Sequence, residues 1–431
     1  MSISGVLIST VLFHACADRD RVNPVDPQNP DTQGKPTGVR VYSIADTVHL
    51  QWDLIDLEDI TGYSIYRKTE KDSDFTLFAT VERNRSMFID TQITFGIAYS
   101  YEISAVGNTF ESRRSDLLTI TPGPTFSWVA DLSQRQIVKL TNDSQHEILR
   151  AGGFQKPIDV EPNPVAGVVW VVDSFTRELL RVSQNGSIIA PRIQLTRPRD
   201  ATVDFNDGSV WVGDPGEDAV VKLDSSGKVL FETKQDPVSD VVFKSPIAVA
   251  VDQTNGDCWV ADSRADMVAR IRSDGSEVLV APVNFQAVQS VAVDSGHRHV
   301  WVADSSRVVR LNPSGEMDLE IDGPFDYAFK VAANDSTGDL WVLNLVFVVD
   351  ASTVSKYSKD GRKEFELDGF TIPEDLSVNL YDNSCIVADT QNDRIVRVSS
   401  NGLIAGVFDA VGNPEAVGVQ NQRPLDIYKE D

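Results

Sequence analysis

Three aspartates, Asp159, Asp200 and Asp375, each stand two residues after a proline at the head of an apolar-alternating stretch: "KPIDVEP", "RPRDATVD" and "IPEDLSVN". If those stretches converge, three carboxylates meet, and that is the oxygen-rich environment a hard cation such as Ca²⁺ requires. A cation held there would support a metal-dependent hydrolase or lyase. Lys330 and Arg199 occupy comparable places and support the other reading, rim charges that balance one another in water. His297 and His299, in "DSGHRHV", have the spacing of a metal pair. No third ligand lies near them in sequence, so they read as residues of a solvent-exposed turn. Ser-His-Asp and Cys-His arrangements and glycine-rich phosphate loops are absent.

The elements that must position these aspartates are repeats. "VWVVDSFTRELLRVSQNGS" from Val169 has near-copies in "VWVGDPGEDAVVKLDSSGK" from Val210, "CWVADSRADMVARIRSDGSE" from Cys258 and "VWVADSSRVVRLNPSGE" from Val300. The punctuating residue of each copy falls at Asp131, Asp173, Asp214, Asp262, Asp304, Asn344 and Asp389, in steps of 40 to 48 residues. That period fits a four-stranded propeller blade. The repeated acid reads as the cap of a tight turn, accepting backbone N–H groups, because a turn is needed in every copy and a catalytic acid only once. Trp128, Trp170, Trp211, Trp259, Trp301 and Trp341 share one repeat position with Ile386, which makes them packing residues rather than a ligand cage. Cys258 and Cys385 open strands where other copies have Val or Leu, and so read as small buried hydrophobes.

Hairpins and their preceding strands are out of phase. The hairpin from Phe126 has no strand of its own before it, and the strand "NPEAVGVQ" from Asn413 has no hairpin after it. A closed ring of seven blades, with the C-terminal strand completing the first blade, satisfies both and leaves no open edge. Aligning the inner strands on their Pro places Asp159, Asp200, Ala248, Ser290, Lys330, Asp375 and Ala416 in one ring at a channel mouth. Ile158, Arg199, Ile247, Gln289, Phe329, Glu374 and Glu415 lie just before them.

Units of the form "P-x-x-VAVD…VWVAD…RVVRL…G" resemble NHL repeats and the related YVTN-type and virginiamycin B lyase-like propellers. The resemblance implies the fold across about 300 residues. It leaves function open, since such propellers serve partner binding, lactone hydrolysis, lyase chemistry and peptide amidation. The channel-facing His of the lyase and amidating relatives has no counterpart here, and the Asp set matches the lactonase type in part, without an Asn partner. The reading is therefore a binding protein, leaning away from an enzyme, with a protein or glycan partner. Ca²⁺ at Asp159, Asp200 and Asp375 would be its one candidate cofactor, and otherwise none is expected.

The remainder of the chain sets the location. "MSISGVLISTVLFHAC" suits a signal segment at 1–16, and Ala15-Cys16 resembles a bacterial lipoprotein cleavage site with Cys16 lipidated. Residues 17–35, "ADRDRVNPVDPQNPDTQGK", read as a disordered tether. Seven period-two stretches over 36–122, with Trp52, Tyr63, Tyr66, Tyr99 and Tyr101, resemble a fibronectin type III domain. The propeller spans 124–421, and 422–431 form a tail. The fold class is thus all-β: a fibronectin type III β-sandwich followed by a seven-bladed β-propeller closed by its C-terminal strand. A formal charge of −25 with no basic cluster argues against nucleic acid. The expectation is a monomer at the bacterial cell envelope, touching the membrane through its lipid anchor alone.

Overall fold

The computed structural model describes residues 22–44, 46–234, 242–321 and 323–421, so Cys16 and the tail lie outside the described residues. The chain divides into two compact units, and strands account for nearly all of the regular structure.

In the smaller unit, Arg40–Ile44, Thr47–Gln51 and Met87–Asp90 form one sheet, while Thr76–Glu82, Ile60–Thr69, Tyr99–Gly107 and Leu118–Ile120 form another. Alternation sends Val48, Leu50, Trp52, Tyr63, Ile65, Tyr101 and Ile103 into one apolar cluster. The buried Tyr101 hydroxyl donates to Asp90 Oδ2 at 2.7 Å, and Arg67 Nη1 pairs with the same oxygen at 2.7 Å.

Residues Asn23 to Lys35 differ from the extended tether expected for 17–35. They form hydrogen-bonded turns, with Asn29 Oδ1 accepting the Asp31 N–H at 2.8 Å and the Thr32 N–H at 3.2 Å. Val25 packs on the cluster of the smaller unit, and Gly34 offers its carbonyl to the Arg113 N–H at 3.0 Å. Asn and Asp side chains fold the backbone locally, so a segment poor in apolar residues still orders once one valine finds a core.

The larger unit contains seven four-stranded antiparallel sheets among the described residues. Six of them use consecutive strands. The seventh takes Glu147–Gly152, Gln136–Leu140 and Phe126–Asp131 from the start of the unit and Pro414–Gln420 from its end. Pro414 pairs with Asp131 and Gln420 with Phe126, and the Trp128 indole donates to Gln420 Oε1 at 3.0 Å. The inner strands neighbour one another in sequence, and Pro414–Gln420 neighbours both Asp375–Asn379 and Pro157–Asn163, so the circle closes.

Each repeat tryptophan is buried between its own sheet and the next. Trp128 meets Val160, Val169 and Val171, Trp341 meets Leu376, Val378 and Cys385, and Ile386 meets Val129 and Val417. Across the ladder from each stands a cation: Lys139, Arg181, Lys222, Arg270, Arg310, Lys356 and, opposite Ile386, Arg397. The first six reach a turn of the following sheet, for example Lys222 Nζ to the Ser273 carbonyl at 2.9 Å and Arg270 Nη1 to the Pro313 carbonyl at 3.0 Å. Their stems cover the indole while their heads latch one sheet to its neighbour. Burial pushes the Lys139 ammonium down to about 8.

The repeated acid also does more than cap a turn. Asp173 accepts Phe175 N–H and Thr176 N–H, both at 3.1 Å, from the turn, and Gln155 N–H at 2.6 Å and Lys156 N–H at 3.1 Å from the segment entering the inner strand. Asp262 does the same with Arg264, Ala265, Lys244 and Ser245. Asp214, Asp304 and Asp389 accept from Thr196 and Arg197, from Gln286 and Ala287, and from Thr371, while Asn344 accepts from Tyr327. Asp131 takes this bond from Gly412, 281 residues away. The turn's fourth residue is left-handed at Arg135, Arg177, Asp218, Asp266 and Asp393, a conformation that costs about 1 kcal/mol per residue and that the carboxylate bonds offset.

Truncating the chain after Gly412 exposes the Phe126–Asp131 edge and takes Ala416, Val417 and Val419 out of two apolar clusters, so cooperative thermal unfolding of the larger unit should be lost or its midpoint fall by roughly 10 °C or more. Scanning calorimetry checks this. Asp262→Ala should cost about 3 kcal/mol or more in urea denaturation, because four backbone donors lose one acceptor.

Candidate functional site

The inner strands begin around a cavity of about 170 Å³. Its wall is made by Ile158, Asp159, Arg199, Asp200, Ile247, Ala248, Gln289, Phe329, Lys330, Glu374, Asp375, Glu415 and Ala416. Each inner strand enters at one end of the ring, and in five of the seven a register shift between the first and third residues breaks strict alternation there, where adjacent residues such as Ile158 and Asp159 both line the wall. Ser290, aligned with the ring in sequence, is buried behind the wall.

Each ring acceptor ties its strand to the next. Asp159 Oδ2 accepts the Ala201 N–H at 2.7 Å, Asp200 Oδ2 the Val249 N–H at 2.7 Å, and Asp375 Oδ2 the Val417 N–H at 2.9 Å. Ser290 Oγ stands in the same relation to the Val331 N–H at 3.4 Å. The inner strands of different sheets do not pair with one another, so these N–H groups would otherwise be buried without partners.

One oxygen of each carboxylate is thereby committed to the fold. In Asp375 and Asp200 the other faces Lys330, whose Nζ lies 3.2 Å from Asp375 Oδ1 and 3.6 Å from Asp200 Oδ1, while Asp159 Oδ1 accepts the N–H of Val160 at 2.9 Å. Asp375 Oδ1 is buried and has no aligned hydrogen-bond donor, so its contact with the ammonium is one of charge. The three aspartates do converge, and they converge on a lysine. Among the described residues no group of three or more His, Cys, Asp or Glu side chains is arranged to hold a metal ion.

The cavity is electrostatically tense. Burial, then the charge of Asp200, push the Asp159 carboxyl up to about 8, against the pull of Lys330. Burial raises Asp375 as well, and Lys330 opposes it. Glu374 and Glu415 are raised by burial first, Glu374 also by Glu415, with Arg199 opposing both. Glu161, two residues after Asp159 and therefore one layer deeper, accepts the Val203 N–H and is raised well above the ordinary range by burial and by Asp159. The sequence reading missed Glu161, although the period of two from Asp159 marks it.

His297 and His299 sit at the opposite ends of the strands and are less exposed than expected of a solvated turn. Both flank the buried Asp294, with Nδ1 of His297 3.1 Å and Nδ1 of His299 3.7 Å from its two carboxylate oxygens. Burial lowers the His299 imidazole. Cys258 and Cys385 are buried free thiols, both pushed well up by that burial.

No family profile and no curated protein matches the chain in sequence. Solved structures do match in shape. Selenomethionine-substituted virginiamycin B lyase from Staphylococcus aureus superposes with a TM-score of 0.51 at 16% identity, covering 62% of this chain and 88% of that one. A streptogramin B lyase gives 0.51 at 15%, covering 61% and 86%. A functionally unknown protein from Desulfotomaculum acetoxidans DSM 771 gives 0.56 at 14%, covering 68% and 98%. The larger unit is a β-propeller. At these identities the likeness is one of fold, and the propeller's chemistry has to be argued from its own cavity.

The raised carboxyls fix the sign of a pH effect. From the ordinary carboxylate pKa up to about 8 at Asp159, the folded state binds more protons than the unfolded chain, so this group's contribution makes stability fall as pH rises. Asp159→Asn removes it. The melting temperature of the variant minus that of the parent should grow between about pH 5 and about pH 8, by ~2 °C or more. A difference that stays constant over that range would show the shift to be absent.

Proposed function

We propose that the chain is a non-catalytic binding protein of the bacterial cell envelope, in which a seven-bladed propeller presents the cavity face to a protein or glycan partner. The smaller unit is read as a fibronectin type III domain: its first, second and fifth strands form one sheet, its fourth, third, sixth and seventh form the other, and Trp52 lies in the shared core. Cys16 is the lipid attachment site, and the protein works as a monomer.

The observation that carries the reading is the position of Lys330. A catalytic carboxylate must be free to ligate a metal or move a proton. Here each of the three ring aspartates gives one oxygen to a backbone N–H of the next inner strand, the Lys330 ammonium lies beside the remaining oxygens of Asp200 and Asp375, and that of Asp159 accepts the Val160 N–H. That arrangement supports a built-in cation in place of an exchangeable one, and a cavity that recognises rather than reacts.

Two measurements test it. Calcium and EDTA should leave the melting temperature of the purified protein unchanged, and a panel of lactones, esters and cyclic depsipeptides should show no turnover. Metal-dependent turnover abolished by substituting Asp159, Asp200 and Asp375 with alanine would replace this reading with the hydrolase or lyase one. In cells, an alkynyl palmitate label should mark the full-length chain and not Cys16→Ser.

A further inference from the structure

One sheet departs from the others on the face where the cavity opens. Ala328 pairs with Asn344, so the start of that inner strand and the end of its neighbour share one edge, and the loop of residues 345–351 leaves from there. The matching loops elsewhere are shorter, such as "PGED" after Asp214 and "TQND" after Asp389, and carry at most one exposed large apolar residue, as Phe175 in "SFTR" after Asp173. Here the sequence is "LVFVVDA", and Phe347, Val348 and Val349 are 73%, 62% and 73% exposed.

The loop is held, and the apolar tip is therefore displayed. Leu345 is buried and its N–H bonds the Tyr327 carbonyl at 2.9 Å. Ser352 Oγ accepts the Val346 N–H at 3.0 Å and donates to the Val346 carbonyl at 3.1 Å. Asp350 is fixed to Thr371 Oγ1 through its N–H and its carboxylate, both at 3.0 Å. With both ends pinned, three adjacent large apolar side chains have no route into the core, and exposure of that kind marks an interaction site.

The tip is continuous with the cavity. The Phe347 ring lies 6.4 Å from that of Tyr327, which stacks 6.2 Å from Phe329, a residue of the cavity wall. That wall holds five carboxylates (Asp159, Asp200, Glu374, Asp375 and Glu415) against two cations, Arg199 and Lys330. An aromatic path thus joins an apolar tip to a negative hole large enough for a side-chain head group.

We propose that this face docks a polypeptide segment in which a lysine or arginine is flanked by apolar residues, with the cation meeting Glu374 and Glu415 of the cavity wall, apart from the aspartates that Lys330 neutralises, and the apolar side chains lying on Phe347, Val348 and Val349. The inference rests on the binding reading and specifies its partner. Charge complementarity chooses the occupant: an anionic membrane surface would meet the tip but be repelled by the carboxylates around the mouth.

The test uses the purified full chain and phage-displayed random peptides on the order of ten residues long. Enriched sequences should place Lys or Arg close to Phe, Leu, Ile or Val. For one such synthetic peptide, affinity should fall about tenfold in the triple variant Phe347→Ser, Val348→Ser, Val349→Ser. It should fall comparably in Glu374→Gln, Glu415→Gln, there with a shallower salt dependence. Both variants alter side chains outside the core, and a single cooperative melting transition confirms that each folds. Enrichment of peptides without a basic residue, no enrichment, or affinity indifferent to either variant overturns the inference. So does tip-dependent uptake by phosphatidylglycerol vesicles. Peptides that bind but ignore both variants would remove this face and leave the binding reading standing, whereas metal-dependent turnover would remove the reading itself.

Discussion

A propeller packs its sheets face to face, so the inner strands crowd around an axis without pairing across it, and their outward N–H groups need acceptors from elsewhere. The chain meets that demand with side-chain oxygens. The repeated acid at the end of each second strand gathers the turn after it and the crossover before its inner strand, and the ring aspartates collect one N–H from the next inner strand. The trypptophan–cation pairs hold the outer parts of adjacent sheets in the same sheet-to-sheet manner. Closure follows the identical pattern. Asp131 reaches Gly412 as Asp173 reaches Gln155, so the joint between the two ends of the propeller repeats the geometry of every other joint.

This use of carboxylates shapes the candidate site. Structural acceptors placed at an axis bring negative charge together where water is scarce, and burial first, with repulsion from neighbouring carboxylates added, raises Asp159 and Asp375. Lys330 answers that charge from the one ring position that supplies a cation, its own pKa raised by Asp375, Asp200 and Asp159 in spite of burial.

The sheet that carries Lys330 breaks the repeat in several respects at once. Its punctuating residue is Asn344, which accepts from Tyr327, and its loop is long, apolar and separately pinned. Repeats that serve only packing have no reason to diverge together in one sheet and on one face. These departures are concentrated in one sheet, beside the cavity.

Sequence periodicity alone determined a great deal. A recurrence of 40 to 48 residues, a tryptophan at one repeat position and two half-repeats out of phase specify sheets, packing faces and the way the circle closes. Aligning the heads of the inner strands was enough to name the residues of the cavity wall, because successive repeats place equivalent residues equivalently around the axis. The tertiary structure decided what those residues do. Whether a carboxylate is free or spent on a neighbour's N–H depends on a strand some forty residues away, and whether three aspartates meet a metal or a lysine depends on the far side of the ring. The order of Asn23 to Lys35 and the outward hold on Phe347 likewise arise from contacts that local composition does not record. Periodicity reports the direction of a side chain, and only the fold reports what waits at its end.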